Sequence, residues 1–193
     1  VAVRYSLTGD WDTGGLLYDD YCEMLERMAD LPDLWDITVH DYTWEMGSSR
    51  FVKEAAQEEV VSFVKSVSSK PVVGVGRFTS PDTMVRQVRK GILDFVGAAR
   101  PSIADPYIPT KIREDRLEDI RECIGCNVCY AHNSRGAAIR CTQNPTMGEE
   151  WRRGWHPERI EDKGSDDTIL VVGAGPAGLE AARALGQRGY QVA

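Results

Sequence analysis

Cys123, Cys126 and Cys129 recur at intervals of three in the run CIGCNVC, and Cys141 follows after eleven further residues. Three closely spaced thiols with a fourth from beyond a loop can surround a compact cluster of iron and sulfide, which thiolates hold and which passes single electrons. Zinc also takes four thiolates, but structural zinc sites usually pair their ligands as two separated short spacings. The single tight run therefore favours iron–sulfur over zinc. Disulfides would need an oxidising compartment, and no secretory signal is visible. Cys22 stands apart in an expected helix and reads as a packed small hydrophobe.

A second motif is Gly173-Ala174-Gly175-Pro176-Ala177-Gly178. It follows an apolar strand and opens an alanine-rich helix, the context that a dinucleotide-binding turn requires. Gly173 allows the tight turn, Gly175 lets a pyrophosphate approach the backbone, and Gly178 lets helix and strand pack closely. The helix N-terminus offers unpaired N–H groups to the phosphates. The acidic ribose-binding residue would lie about 20 residues further on, so FAD, NAD and ADP are not separated.

Two strand ends carry matching glycines and arginines. Gly74-Val75-Gly76-Arg77 closes one strand and Gly97-Ala98-Ala99-Arg100 the next. Small residues expose backbone N–H groups and arginine adds a charged fork, so the pair reads as a phosphate clamp. The alternative is that the glycines ease packing while the arginines pair with surface acids. Arg4 lies in an apolar strand, where a buried guanidinium needs a partner. That partner is either the N1–C2=O edge of a flavin or a carboxylate such as Asp36 or Asp94. The loop at 40–51 holds His40, Asp41, Tyr42, Trp44 and Glu45. Its rings could cradle an ammonium ion and its carboxylates could accept a proton; otherwise it is an ordinary surface loop.

The elements that must position these groups alternate in type. Strands are expected at 1–7, 34–39, 72–75 and 92–98, and helices at 18–30, 51–68 and from Ser80-Pro81 to a C-capping Gly91. Val52, Ala56, Val60, Phe63, Val64 and Val67 share one stripe of the second helix. The pattern describes a parallel α/β array, and periodicity does not choose between a closed barrel and an open sheet. Residues 109–121 are expected to be a helix with a solvated charged face. Residues 161–167 read as a linker, followed by strand, glycine turn, helix and strand. The chain has 193 residues, 42% hydrophobic, with a formal net charge of −7. No basic stripe invites nucleic acid or anionic membrane, and no run approaches the ~18 apolar residues of a membrane span. Reduced, metal-binding cysteines suggest the cytoplasm. The chain begins inside VAVRYSL and stops inside YQVA, and reads as an internal stretch of a longer enzyme.

Together the motifs resemble the trimethylamine and dimethylamine dehydrogenases. Their wider relatives are the iron–sulfur members of the old yellow enzyme family, including 2,4-dienoyl-CoA reductase and histamine dehydrogenase. The resemblance rests on CIGCNVC, CTQNP at 141–145, GEEWRRGWHPE at 148–158, DLWDITV at 33–39, KPVVGVGRFTSPD at 70–82 and ARPSIADP at 99–106. It implies the C-terminal half of an FMN-binding TIM barrel, strands five to eight, over 1–108. A [4Fe-4S] segment would follow over 109–160, and the start of a Rossmann-like FAD- or ADP-binding domain over 161–193. Arg4 would lie near the flavin ring, and Gly76, Arg77, Ala99 and Arg100 would receive the FMN phosphate. Cys123, Cys126, Cys129 and Cys141 would hold the cluster, and Gly173, Gly175 and Gly178 the nucleotide. Trp44 would face the substrate, with Glu45 or Asp41 standing in for the family's acidic loop residue. The implied activity is an amine dehydrogenase passing electrons through FMN and cluster to an external, electron-transfer-flavoprotein-type carrier, possible as a homo-oligomer. An NADPH-dependent enoyl reductase is the alternative within the family, and a non-catalytic iron–sulfur or zinc module the alternative outside it. This stretch alone is expected to be inactive.

Overall fold

The computed structural model describes residues 1–7, 16–39 and 50–193, so most of the aromatic loop, with His40, Asp41, Tyr42, Trp44 and Glu45, lies outside the described residues. The chain divides into two compact units, Val1–Asn144 and Pro145–Ala193.

In the first unit β1 (Ala2–Ser6), β2 (Leu34–Thr38), β3 (Val72–Gly74) and β4 (Phe95–Val96) form a parallel sheet in chain order. The register sets Arg4 beside Asp36, Ile37 beside Gly74, and Gly74 beside Val96. The connecting helices are α1 (Tyr18–Met28), α2 (Glu58–Val67) and α3 (Pro81–Arg89). Right-handed crossovers between strands laid down in sequence order put every helix on one face, as in a barrel wall. A doubly wound open sheet would reverse its strand order part-way. Strand order thus distinguishes two architectures that share the same periodicity.

Alternation along the strands builds the core. Trp35, Ile37 and Val72 point to the helix side and pack with Leu25, Val61, Val64 and Leu93, with Val3, Tyr5 and Val96 packed against them. Burying each such aliphatic side chain contributes about 1.5–3 kcal/mol. The Trp35 indole N–H donates to the Ala29 carbonyl at 2.9 Å, so its one polar atom is satisfied inside the core. Cys22 packs against the same core, as expected of it.

Three elements differ from the sequence expectation. The helix expected at 51–68 begins only at Glu58. Ala55 is left-handed at φ +60°, and its N–H donates to the Gly76 carbonyl at 3.0 Å, so the preceding turn is tied to the end of β3. The strand expected at 92–98 shrinks to Phe95–Val96, because the Asp94 carboxylate takes the Val72 N–H at 2.8 Å and Lys65 at 2.9 Å. The helix expected at 109–121 splits. After α4 (Arg100–Ala104), α5 runs Ile108–Arg113, and a short 3-10 turn covers Leu117–Asp119. Asp115 at φ +55° separates them. Gly91, at φ +68°, ends α3 in the left-handed conformation expected of its cap.

The segment that carries the cysteines continues through α6 (Val128–Ser134). The second unit contains α7 (Glu150–Arg153), β5 (Thr168–Ile169), α8 (Pro176–Gln187) and β6 (Gln191–Val192). β5 pairs parallel with β6 across α8, giving a β–α–β hand with Thr168 beside Gln191.

Candidate flavin and cluster sites

The C-terminal ends of β3 and β4 open on a cavity of about 370 Å³. Arg4, Gly76, Arg77, Ala99 and Arg100 all line it, so the five residues read as a flavin site come together. The glycines are held by close packing. A Cβ on Gly76 would sit 3.0 Å from the Ala55 Cα, and one on Gly97 would sit 2.8 Å from Val75 Cγ1. The packing role set against the phosphate role is therefore real for both. It does not exclude the other, because both glycines also line the cavity.

The arginines are placed differently from one another. Arg4 is not buried: its side chain is 63% exposed, and its Nε lies 3.8 Å from Asp36 Oδ2, its register partner. Arg4 alternates onto the sheet face opposite the helices, where Asp36, one of the two carboxylates considered, is its partner. Asp94, the other acid considered, pairs with Lys65. Arg77, at φ +54°, sends Nη1 to the Cys123 carbonyl at 3.0 Å and Nη2 to the Val52 carbonyl at 2.7 Å. Its Nε is buried and has no partner among the described residues. Arg100 opens α4, and its Nη1 donates to Asn127 Oδ1 at 2.6 Å. Ala99 is the residue at the N-cap of that helix.

Cys123, Cys126, Cys129 and Cys141 line one recess. Two left-handed residues, Gly125 at φ +66° and Asn127 at φ +58°, coil the run so that its thiols turn inward before α6 begins. The Gly125 carbonyl accepts the Arg50 N–H at 3.2 Å. The Gln143 N–H points to Cys141 Sγ at 3.4 Å, and Thr142 Oγ1 lies 3.3 Å from Cys126 Sγ. Burial pushes the Cys123 thiol up, against the Gly125 N–H and the charges of Arg100 and Arg77. Burial likewise raises Cys129, against the Tyr130 N–H and Arg100. Among the described residues no three Cys, His, Asp or Glu side chains are placed to hold a single metal ion.

Arg100, Ile103, Asn127 and Cys129 line both the cavity and the recess, so one layer of side chains separates them. Sequence reasoning missed Asn127, and it missed two carboxylates that brace this region, the buried Asp105 and the half-buried Glu54. Asp105 and Lys111 are 0% and 1% exposed and meet at 2.6 Å. Asp105 also accepts the N–H groups of Tyr107 and Arg121, at 2.9 and 3.0 Å, and Lys111 donates to the Asp119 carbonyl at 2.8 Å. Burial pushes the Asp105 carboxyl up, but the Lys111 ammonium and the two N–H groups outweigh it and hold it below the ordinary range. Glu54 Oε1 accepts the N–H groups of Thr79 and Ser80, at 2.7 and 3.0 Å, and fixes the loop after Arg77. Nothing in the residues beside Asp105 (Ala104 and Pro106) or Lys111 (Thr110 and Ile112) signals that an ion pair will be buried there.

In the second unit the glycine turn occupies the expected place between β5 and α8. Gly173 takes φ +110°, and Gly175 is the N-cap with Pro176 at the first helical turn. A Cβ on Gly178 would fall 1.9 Å from the Gly173 carbonyl oxygen, so no side chain fits there. A Cβ on Gly175 would meet nothing within 4 Å, so the space beside it is open.

Residues 1–119 match the NADH:flavin oxidoreductase / NADH oxidase family. The chain belongs to this family. Among its curated relatives is dimethylamine dehydrogenase of Hyphomicrobium sp. (strain x), 49% identical over 180 residues, covering 91% of this chain and 24% of the relative. Another is N,N-dimethylglycine/sarcosine dehydrogenase of Chromohalobacter salexigens, 36% identical over 67% of this chain and 18% of the relative. The fold matches histamine dehydrogenase from Rhizobium sp. 4-9 with a TM-score of 0.93 and 57% identity, over 99% of this chain and 28% of that one. The 6-hydroxypseudooxynicotine amine oxidase of Pseudomonas geniculata N1 matches with a TM-score of 0.90 and 55% identity, over 100% of this chain and 29% of that one. The chain thus spans about a quarter of the length of these relatives.

FMN is the cofactor of an NADH:flavin oxidoreductase of this kind, and the cavity suits its phosphate end. Arg77 and Arg100 bring two guanidinium groups to the cavity lining beside Gly76, Gly97 and Ala99, and the Arg77 Nε has no partner among the described residues. No helix among the described residues is long and apolar enough to cross a membrane.

Proposed function

We propose that this chain forms the flavin-to-cluster core of an amine dehydrogenase dependent on FMN and [4Fe-4S]. The observation that carries the reading is the shared wall: Cys129 and Arg100 face both the cavity at the strand ends and the four-cysteine recess. When bound, FMN supplies two-electron oxidation of a substrate C–H bond and single-electron delivery to an iron–sulfur centre. The chain's own residues bind, orient and insulate. The loops at Gly76 and Ala99 present N–H groups to the phosphate, with Arg77 and Arg100 adding positive charge. Arg4, held by Asp36, offers a cation to the flavin ring. Cys123, Cys126, Cys129 and Cys141 ligate the cluster, and the N–H groups of Gly125, Tyr130 and Gln143 lie against their sulfurs, a contact that raises the potential of such centres.

Residues 1–108 then belong to strands five to eight of the TIM barrel, 109–160 to the cluster segment, and 161–193 to the start of an FAD- or ADP-binding domain held through Gly173, Gly175 and Gly178. The substrate is a small amine met by Trp44 with Glu45 or Asp41. An external protein accepts the electrons, and the enzyme is cytoplasmic. The names of the relatives, with dimethylamine and histamine as substrates, support the amine. A reductase direction, fed by NADPH, is the second reading. It is favoured by likeness to 2-naphthoyl-CoA reductase, with a TM-score of 0.79 and 31% identity.

The test uses the holoenzyme without oxygen, exposed separately to candidate amines and to NADPH, with flavin absorbance and cluster EPR recorded. Flavin bleaching and a cluster signal with an amine but not with NADPH is the expected result. Reduction by NADPH alone would replace the dehydrogenase with the reductase.

A further inference from the structure

The two arginines at the strand ends reach in a direction that the phosphate reading does not require. Arg77 grips the first residue of the CIGCNVC run through the Cys123 carbonyl, with its other terminal nitrogen on Val52. Arg100 grips Asn127, the left-handed residue between Cys126 and the start of α6. The cluster loop is therefore fastened near both ends to the strand ends that border the cavity. Arg77 also lines that cavity, and its third kind of donor, Nε, is buried without a partner among the described residues.

We infer that Arg77 and Arg100 are positioning residues that couple the cluster loop to occupancy of the flavin cavity. This rests on the proposed function. A guanidinium is planar and rigid, so an anion bound beside Arg77 in the cavity and the carbonyls held by its two terminal nitrogens constrain one another. An acceptor in the cavity fixes the plane of Arg77, and through it the Cys123 carbonyl. The positive charge of Arg77 lies against the backbone of Cys123, and Arg100 lines the four-cysteine recess. A cation there favours the more negative, reduced form of a cluster. Backbone strain agrees with a positional demand: Arg77 holds φ +54°, a conformation that a non-glycine residue adopts at a cost.

The experiment compares the wild-type holoenzyme with Arg77→Gln and Arg77→Lys. Three quantities are read: the rate of iron loss to a chelator with and without FMN, the cluster midpoint potential by EPR-monitored titration, and FMN affinity. In the wild type, bound FMN slows iron loss. Both variants lose the fork, so iron loss accelerates about tenfold or more and no longer responds to FMN. The midpoint potential falls in Arg77→Gln and stays near the wild-type value in Arg77→Lys, which keeps the charge. Weakened FMN binding with wild-type iron loss and potential would make Arg77 an ordinary phosphate clamp and overturn the inference alone. A wild-type holoenzyme with neither iron nor flavin would overturn the proposed function and this inference with it.

Discussion

Replacing Lys111 by methionine isolates the buried ion pair that braces the segment leading into the cysteines. The substitution keeps most of the length of the side chain but leaves Asp105, 0% exposed, with the N–H groups of Tyr107 and Arg121 and without its ammonium partner. Removing one partner of a buried pair costs about 3–5 kcal/mol, because an uncompensated charge stays in the interior. If the loss falls on the local opening of residues 105–121, their amides should exchange with deuterium roughly a hundred to a few thousand times faster at neutral pH. The pH dependence has a definite sign. In the wild type the Asp105 carboxyl titrates below its ordinary value, so the pair's contribution is present above the unfolded-state pKa and is lost as the pH falls through the depressed one. In Lys111→Met the carboxyl loses its largest lowering influence and burial drives it up, so the variant's deficit is greatest at neutral pH and shrinks as Asp105 takes a proton. Asp105→Asn combined with Lys111→Met should recover part of the protection, since no charge is left to bury. Unchanged exchange at 105–121 in Lys111→Met at pH 7 would refute the reasoning.

Gly178→Ala places a methyl 1.9 Å from the Gly173 carbonyl oxygen and should open the β5–α8 turn, seen as lost amide protection there together with lost nucleotide. Gly175→Ala meets open space, so the unit should keep its protection while the bound nucleotide is weakened, a contrast read by exchange and by nucleotide content. Cys126→Ser removes one of four thiolates and should leave the holoenzyme with sharply reduced iron and acid-labile sulfide on chemical analysis. Gly97→Ala drives a Cβ to 2.8 Å from Val75 Cγ1 and 3.2 Å from the Gly74 carbonyl oxygen. The resulting overpacking costs about 1–3 kcal/mol and should appear as weaker FMN retention in equilibrium dialysis.

The legible parts of this protein are those whose physics is local. The thiols of CIGCNVC sit within one short loop, and their spacing keeps them close enough to line one recess. The glycine turn is legible for the same reason, since positive φ at Gly173 and the absent side chain at Gly178 are demands made within six residues. The α/β alternation followed from period-two and period-3.6 patterns in adjacent stretches. Helix α2 was overextended because Val52 and Ala56 fit its stripe. What stopped it was the Ala55 N–H finding the Gly76 carbonyl, a contact across 21 residues that no helical period contains.

The sequence by itself determined which cysteines lie close together, where a glycine turn lies and that strands and helices alternate. Those properties depend on residue type and near-neighbour geometry. Only the tertiary structure revealed that the strands follow chain order with their helices on one face, and that Arg4 is exposed beside Asp36. It alone buried Lys111 against Asp105 and turned Arg77 toward a carbonyl 46 residues away. The physical reason is that a long charged side chain takes its direction from whichever acceptor packing brings within reach, and that acceptor belongs to a distant part of the chain.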